Sequence, residues 1–269
     1  MILLLMLQLA FSPHRIISVA PAITEMLFAL GAGDQVVADT TYCNYPEAAK
    51  AKPKIGGFTT PNVEAILGLR PDLVVMTKNR PDVAQKLRQT GIDVLQIQPD
   101  NLAGIYQSIQ SISEKIGVPD RGRALVQKIE SELKSASVTA TGPKPKVLFI
   151  VGRTPGTVLD LSVAGRGTYL NELIGLAGGQ NVFSDTAVPY PQVGMEEVIR
   201  RNPDVIIDMG HTDMLNETQK NNVRQVWGKY SFLNAVRQNK VFPISADYFV
   251  TPGPRVVQAV QDIQKMIKR

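Results

Sequence analysis

Six aromatic side chains stand where core packing would not put them. Tyr42 and Tyr45 lie in "TTYCNYP", Phe58 in "IGGFTTP", Tyr190 in "VPYPQVG", and Tyr248-Phe249 in "SADYFVTPGPR". All fall in Pro/Gly-rich stretches, off any helical stripe, and the chain holds only 7 Tyr, 8 Phe and 1 Trp from which to draw them. Rings gathered in loops with few charges suit a cleft for a large, flat, partly apolar ligand. Loop aromatics that merely cap the core are the plainer alternative. Other chemistry is thinly represented. There are two histidines. His14 sits near the amino terminus, while His211, in "VIIDMGHTD", follows an expected strand and is a candidate metal ligand at the carboxyl end of a sheet. The one cysteine, Cys43, excludes an internal disulfide and reads either as a thiolate or as a small buried side chain. No zinc-ligand spacing, GxGxxG, Walker or GxSxG motif occurs, so an enzyme with a paired base and nucleophile has little support.

Two carboxylates recur at matching places. "NVEAILGLRPDLVV" begins at Asn62 and "GMEEVIRRNPDVII" at Gly194, so Glu64 and Glu196 each open a short amphipathic helix that runs through Pro-Asp into a β-branched strand. The helix macrodipole alone favours a Glu in a first turn, and a partner for both is the alternative. A second pair of segments repeats in the same order. "TEMLFALGAGDQVVADT" and "NELIGLAGGQNVFSDT" share a Glu, an apolar stripe, a glycine stop and an extended exit. The expected elements are a strand over residues 15–19, a helix capped by Thr24 and stopped at Gly31, a strand over 35–38, and later the strand "KVLFIVG". Alternating strands and helices, written twice, predict an α/β protein of two Rossmann-like lobes with parallel sheets.

Between the lobes, Ala124, Leu125, Ile129 and Leu133 mark one long helix over about residues 121–135, a stiff joint rather than a flexible tether. The expected organisation is residues 1–12 as a signal or its remnant, 13–100 and 138–269 as lobes, and 101–137 as the inter-lobe region. The opening "MILLLMLQLAFS" is too short to span a bilayer and resembles the apolar part of a secretory signal, with Ala10 and Ser12 near a cleavage point but no basic flank. A buried first strand is the alternative. With 269 residues, a net charge of +5 and no basic run longer than two, the chain has room for two cores and lacks a nucleic-acid footprint.

"RIISVAPAITEMLFALGAGDQVV", "TTYCNYPEAAKAKPKIGGF", "NVEAILGLRPDLVV" and "GPRVVQAVQDI" together resemble the helical-backbone substrate-binding proteins of metal-chelate ABC importers, the group that binds cobalamin, haem and iron–siderophores. The resemblance covers residues 14–269. It implies a periplasmic or extracytoplasmic monomer with a ligand cleft between its lobes, no catalysis, no catalytic cofactor, no nucleic-acid partner, and membrane contact only through a permease. The loops are most similar to the cobalamin-binding members. That similarity places Tyr42, Phe58, Tyr190 (where those members carry Trp), Asp247 and Tyr248 at a corrinoid carried as transported ligand. Phe58 stands near where haem binders present a ligating Tyr, so a haem would need Tyr42, Tyr190 or His211. A siderophore would look to Arg80 and Arg153. The resemblance also implies that Glu64 and Glu196 dock into arginine pockets on the permease, a geometry-specific contact.

Overall fold

The computed structural model describes residues 13–138, 142–210 and 215–269. It separates into two compact units, one reaching to Pro99 with Ala103–Lys128, the other Asp100–Leu102 with Ile129–Arg269. The first unit contains β1 (Ile16–Ser18), α1 (Pro21–Ala29), β2 (Val36–Ala38), α2 (Glu47–Lys50), α3 (Val63–Gly68), β3 (Leu73–Thr77), α4 (Pro81–Gln89), β4 (Asp93–Ile97) and most of α5 (Leu102–Lys115). Helix α6 (Pro119–Ala136) starts in the first unit and ends in the second. The second continues with β5 (Lys146–Gly152), β6 (Leu161–Val163), α7 (Tyr169–Leu176), β7 (Gln180–Asn181), β8 (Gln192–Val193), α8 (Met195–Arg201), β9 (Val205–Asp208), α9 (Glu217–Gly228), α10 (Asn234–Arg237), β10 (Val241–Pro243) and α11 (Val256–Lys268).

The first sheet runs β2-β1-β3-β4 and is parallel throughout. Its apolar run is buried on both faces, Ile17, Val74 and Met76 packing with Ile66 of α3 and Leu87 of α4. Parallel strands covered by helices require such continuous apolar segments.

The second sheet departs from the parallel arrangement expected of it. Its order is β10-β9-β5-β6-β8, with β7 also on β5. Strands β9, β10 and β7 run parallel to their partners, but β6 is antiparallel to β5 and β8 to β6. The short stretch between β5 and β6 explains the reversal, since a parallel return needs a crossover of about a dozen residues or more. Thr154 and Asp160 close that turn with a 2.6 Å hydroxyl–carboxylate bond, Asp160 standing at φ 53°. Leu148 and Ile206 pack there with Phe183 and Trp227.

Two helix details also differ. Helix α1 opens at Pro21 on an uncapped Ala20, because proline presets the first helical φ. Thr24 is therefore inside the helix, its hydroxyl 2.7 Å from Ser18 Oγ. The buried stripe of α6 includes Val126, Ile129 and Leu133, while Ala124 is exposed. Gly122, also buried, has no room for a Cβ because α6 lies against Ser113 of α5 there.

The repeated Pro-Asp has a structural task that spacing alone did not suggest. Asp72 Oδ2 accepts from the backbone N–H of His14 and Arg15 at 2.9 and 3.0 Å, while Asp72 N–H donates to Arg15 O. In the second unit Asp204 Oδ2 accepts from Lys146 N–H at 2.9 Å, and Asp204 N–H donates to Lys146 O. Each aspartate ties the amino end of its unit's central strand to the strand that follows the Glu-bearing helix.

Candidate functional site

In the first unit the loops at the carboxyl ends of the strands carry the aromatics, the usual ligand side of an open α/β sheet. Tyr42 lies beyond β2 and is 61% exposed; Phe58, before α3, is 38% exposed. Backbone bonds bring the two loops together: Thr41 N–H donates to Gly56 O at 3.0 Å, and a Cβ on Gly57 would lie 3.8 Å from Tyr42 Cε2. Gly56 adopts φ 91°, a left-handed turn that a side chain would strain. Arg80 closes the cluster from the β3–α4 turn, donating to Thr59 O and, through Nε and Nη2, to both oxygens of Asp82. That guanidinium holds the Asp82 carboxyl down to about 2.

In the second unit Tyr190 is 44% exposed. Its loop leans on Gly165, whose N–H donates to Pro189 O at 2.7 Å; a Cβ there would sit 2.8 Å from Val188 O. Burial, and then the Asp100 carboxylate, push the Tyr190 phenol up to about 12. Asp100 is held to the start of α7, its carbonyl accepting from Tyr169 N–H at 2.8 Å. Tyr169 is buried, and its hydroxyl donates to Phe249 O at 2.6 Å. It supports the 3-10 turn Asp247–Phe249 beyond β10, a role that an apolar-face tyrosine in a helix's first turn does not advertise in sequence.

Asp247 and Tyr248 are half-buried and already partnered. Asp247 Oδ1 accepts from Arg255 at 2.9 Å, and that guanidinium lies 5.6 Å from the Tyr248 ring centroid. The Tyr248 hydroxyl donates to Asp262; burial and then this hydrogen-bonded carboxylate raise its pKa. Arg153, expected at the loop surface, is instead core: its Nε bonds both oxygens of Asp208 at 3.1 and 2.9 Å, with side chains 1% and 0% exposed. Trp227 Nε1–H and Gly210 N–H complete the cage around that carboxylate. His211 and residues 1–12 lie outside the described residues.

Glu64 and Glu196 sit in the first turns of α3 and α8, both exposed, and neither takes part in an ion pair or side-chain hydrogen bond among the described residues. The neighbouring Glu197 is different: it pairs with Arg200 and Arg201, and these two guanidiniums lower its pKa. The structure therefore sets Glu196, the residue in register with Glu64, apart from its ion-paired neighbour. Below each free carboxylate the helix is anchored by a fully buried residue, Ile66 or Val198.

Residues 16–248 match the family described as periplasmic binding protein. The chain belongs to that family. A vitamin B12-binding protein of Vibrio cholerae is 30% identical over 260 residues, covering 96% of this chain and 90% of that one. An uncharacterized ABC transporter substrate-binding lipoprotein of Bacillus subtilis is 30% identical over 264 residues, covering 95% and 80%. Among solved structures, a periplasmic heme-binding protein from Roseiflexus sp. RS-1 superposes with a TM-score of 0.79 at 29% identity, covering 96% of this chain and 98% of that one. As a periplasmic binding protein, the chain is a substrate-binding component of an ABC importer working outside the cytoplasmic membrane, in a family of transport proteins rather than enzymes. No helix among the described residues is long and apolar enough to cross a membrane.

Proposed function

We propose that the protein captures a corrinoid of the cobalamin type and delivers it to an ABC permease, docking as a monomer through Glu64 and Glu196. The commitment of its arginines carries the ligand class. Arg80 and Arg153, the two offered by the sequence for an anionic chelate, are engaged with Asp82 and Asp208. The exposed groups proposed for the ligand are aromatic, Tyr42 and Phe58 on the first unit and Tyr190 on the second, with Asp247 and Tyr248 of the second unit as polar contacts that would have to share their present partners Arg255 and Asp262. Stacking rings with a few acceptors suit a macrocycle fringed by amides. A relative named for vitamin B12 binding agrees with this reading. Haem is the second reading, favoured by the exposure of Tyr42 and by the heme-binding structural neighbour.

Calorimetric titration with cyanocobalamin decides between them. Binding at micromolar Kd or tighter, with no Soret shift on adding haemin, is expected. No heat with cyanocobalamin together with a Soret shift would transfer the assignment to haem. For docking, Glu64→Arg with Glu196→Arg should abolish import and leave ligand affinity intact, whereas Glu197→Gln should leave import near normal. Loss of affinity in the double variant would place the two carboxylates on the ligand surface instead.

A further inference from the structure

Beneath the Tyr42 loop lies an ion pair that the proposed function does not use. Asp39 follows β2 and is completely buried. Its Oδ1 accepts from Lys54 Nζ at 2.6 Å, while Oδ2 is buried with no hydrogen-bond partner. The same ammonium donates to Cys43 O at 3.3 Å and Ala49 O at 3.0 Å. Lys54 thus spans the loop that carries Tyr42, holding its root at Asp39, its middle at Cys43 and its exit at Ala49 of α2. Backbone bonds lay the same two segments side by side, Asp39 N–H on Pro53 O and Ile55 N–H on Asp39 O. One ammonium therefore fixes a loop that has little regular structure of its own.

We propose that Lys54 is a positioning residue for Tyr42, and that its pairing with Asp39 makes ligand affinity depend on pH. The inference rests on Tyr42 being a ligand contact. A buried carboxylate with one orphan oxygen is poorly compensated, so it takes up a proton readily. Burial, opposed by the hydrogen bond and charge of Lys54 and the charge of Lys52, lifts the Asp39 carboxyl to about 6. The other titratable group facing it is the Cys43 thiol, which burial pushes up and keeps neutral in this range. Once Asp39 is neutral, the partly exposed ammonium loses its counter-charge and gains more from water than from two carbonyls. The loop is then tethered only by its backbone. The sign separates this from acid unfolding. A carboxyl with a folded pKa above its unfolded value is stabilised in the fold by protonation, so on this account acid does not weaken the fold. A fall in affinity would report the loop.

Hydrogen exchange and cyanocobalamin titration at pH 7.5 and pH 5, on the full chain, test this. In the wild type, protection of the Thr41 and Cys43 amides, corrected for intrinsic rates, should fall at least threefold at pH 5, and Kd should weaken to a similar degree. Asp39→Asn should give the acid values at both pH values, removing the slope; Lys54→Met, which removes the tether itself, should lower Thr41 and Cys43 protection at pH 7.5 and serves if the Asn variant folds poorly. Equal wild-type protection at the two pH values, or a slope that survives in Asp39→Asn, overturns the proposal. If cyanocobalamin fails to bind the wild type at either pH, the corrinoid reading falls, while exchange still decides whether the latch exists.

Discussion

Replacing Asp208 by Asn should destabilise the second unit more than removing any ring of the candidate ligand surface. Every group around this carboxylate donates: Arg153 Nε at 3.1 and 2.9 Å, Gly210 N–H at 2.9 Å, Trp227 Nε1–H at 2.7 Å. An amide keeps one acceptor and turns its other end into a donor that faces donors. It also removes the Asp208 charge from the Arg153 guanidinium, which is 1% exposed. Stranding a buried donor costs about 1–3 kcal/mol, and removing one partner of a buried pair about 3–5 kcal/mol. These overlap because the same groups are involved, so the loss is about 4 kcal/mol rather than their sum. With a urea dependence of about 2–3 kcal/mol per molar, the midpoint should fall by about 1.3–2 M. Trp227 is the only tryptophan, so its emission follows the second unit alone while circular dichroism follows both. The fluorescence transition should move ahead of the dichroism one. A midpoint shift below about 0.5 M, near 1 kcal/mol, would refute the view that this cage supports the unit.

The Pro-Asp pairs should behave as twins. Asp72→Ala and Asp204→Ala should each lower stability by about 1 kcal/mol, roughly 2–4 °C in a melting experiment, through lost bonds to the central strand's amino end. At the Tyr190 loop, Gly165→Ala should displace residues 188–190, because the new Cβ would press on Val188 O and Pro189 O at 2.8 and 3.0 Å. Cyanocobalamin affinity measured by calorimetry should fall about tenfold, an expectation scaled to 1.4 kcal/mol of misplaced contact. An unchanged Kd would remove Tyr190 from the site.

What the sequence made legible was local. Gly31 and Gly178 end matching helices at φ 77° and 87°, where glycine is the natural stop. The apolar strands and the first-turn Glu64 and Glu196 are likewise short-range signals, and they fall where spacing put them. What was hidden depends on partners far along the chain. Arg153 looks like a loop arginine until Asp208, 55 residues on, fills its fork. Asp72 looks like a turn residue until it reaches back 57 residues to Arg15. Thr24 looks like a cap because Ser, Thr and Asp favour helix starts, but Pro21 sets the start a turn earlier. The antiparallel β6 was missed for another reason: apolar alternation specifies a strand and not its direction.

The duplicated halves show which part of the repeat was free to change. "VADT" and "FSDT" close the second repeated segment in each unit, placing Asp39 and Asp185 at equivalent ends. Asp39 is fully buried, holds Lys54 and is lifted to about 6 by that burial. Asp185 is largely exposed, meets Arg201 at 2.8 Å and is lowered, chiefly by that hydrogen bond. One residue type at one repeat position is thus shifted in opposite directions, because burial dominates at Asp39 and the Arg201 hydrogen bond dominates at Asp185. The elements that tie each central strand, by contrast, share one bond in both halves, Asp72 to Arg15 and Asp204 to Lys146. The helix ends agree as well, Arg70 and Asn202 both standing at φ 45° after the Glu-bearing helices. Bonds at the amino ends of the strands set the α/β frame and leave little latitude. The stretches after β2 and β7 follow no such shared pattern, which is where one half could bury a proton-sensitive latch under a tyrosine and the other could expose a plain ion pair.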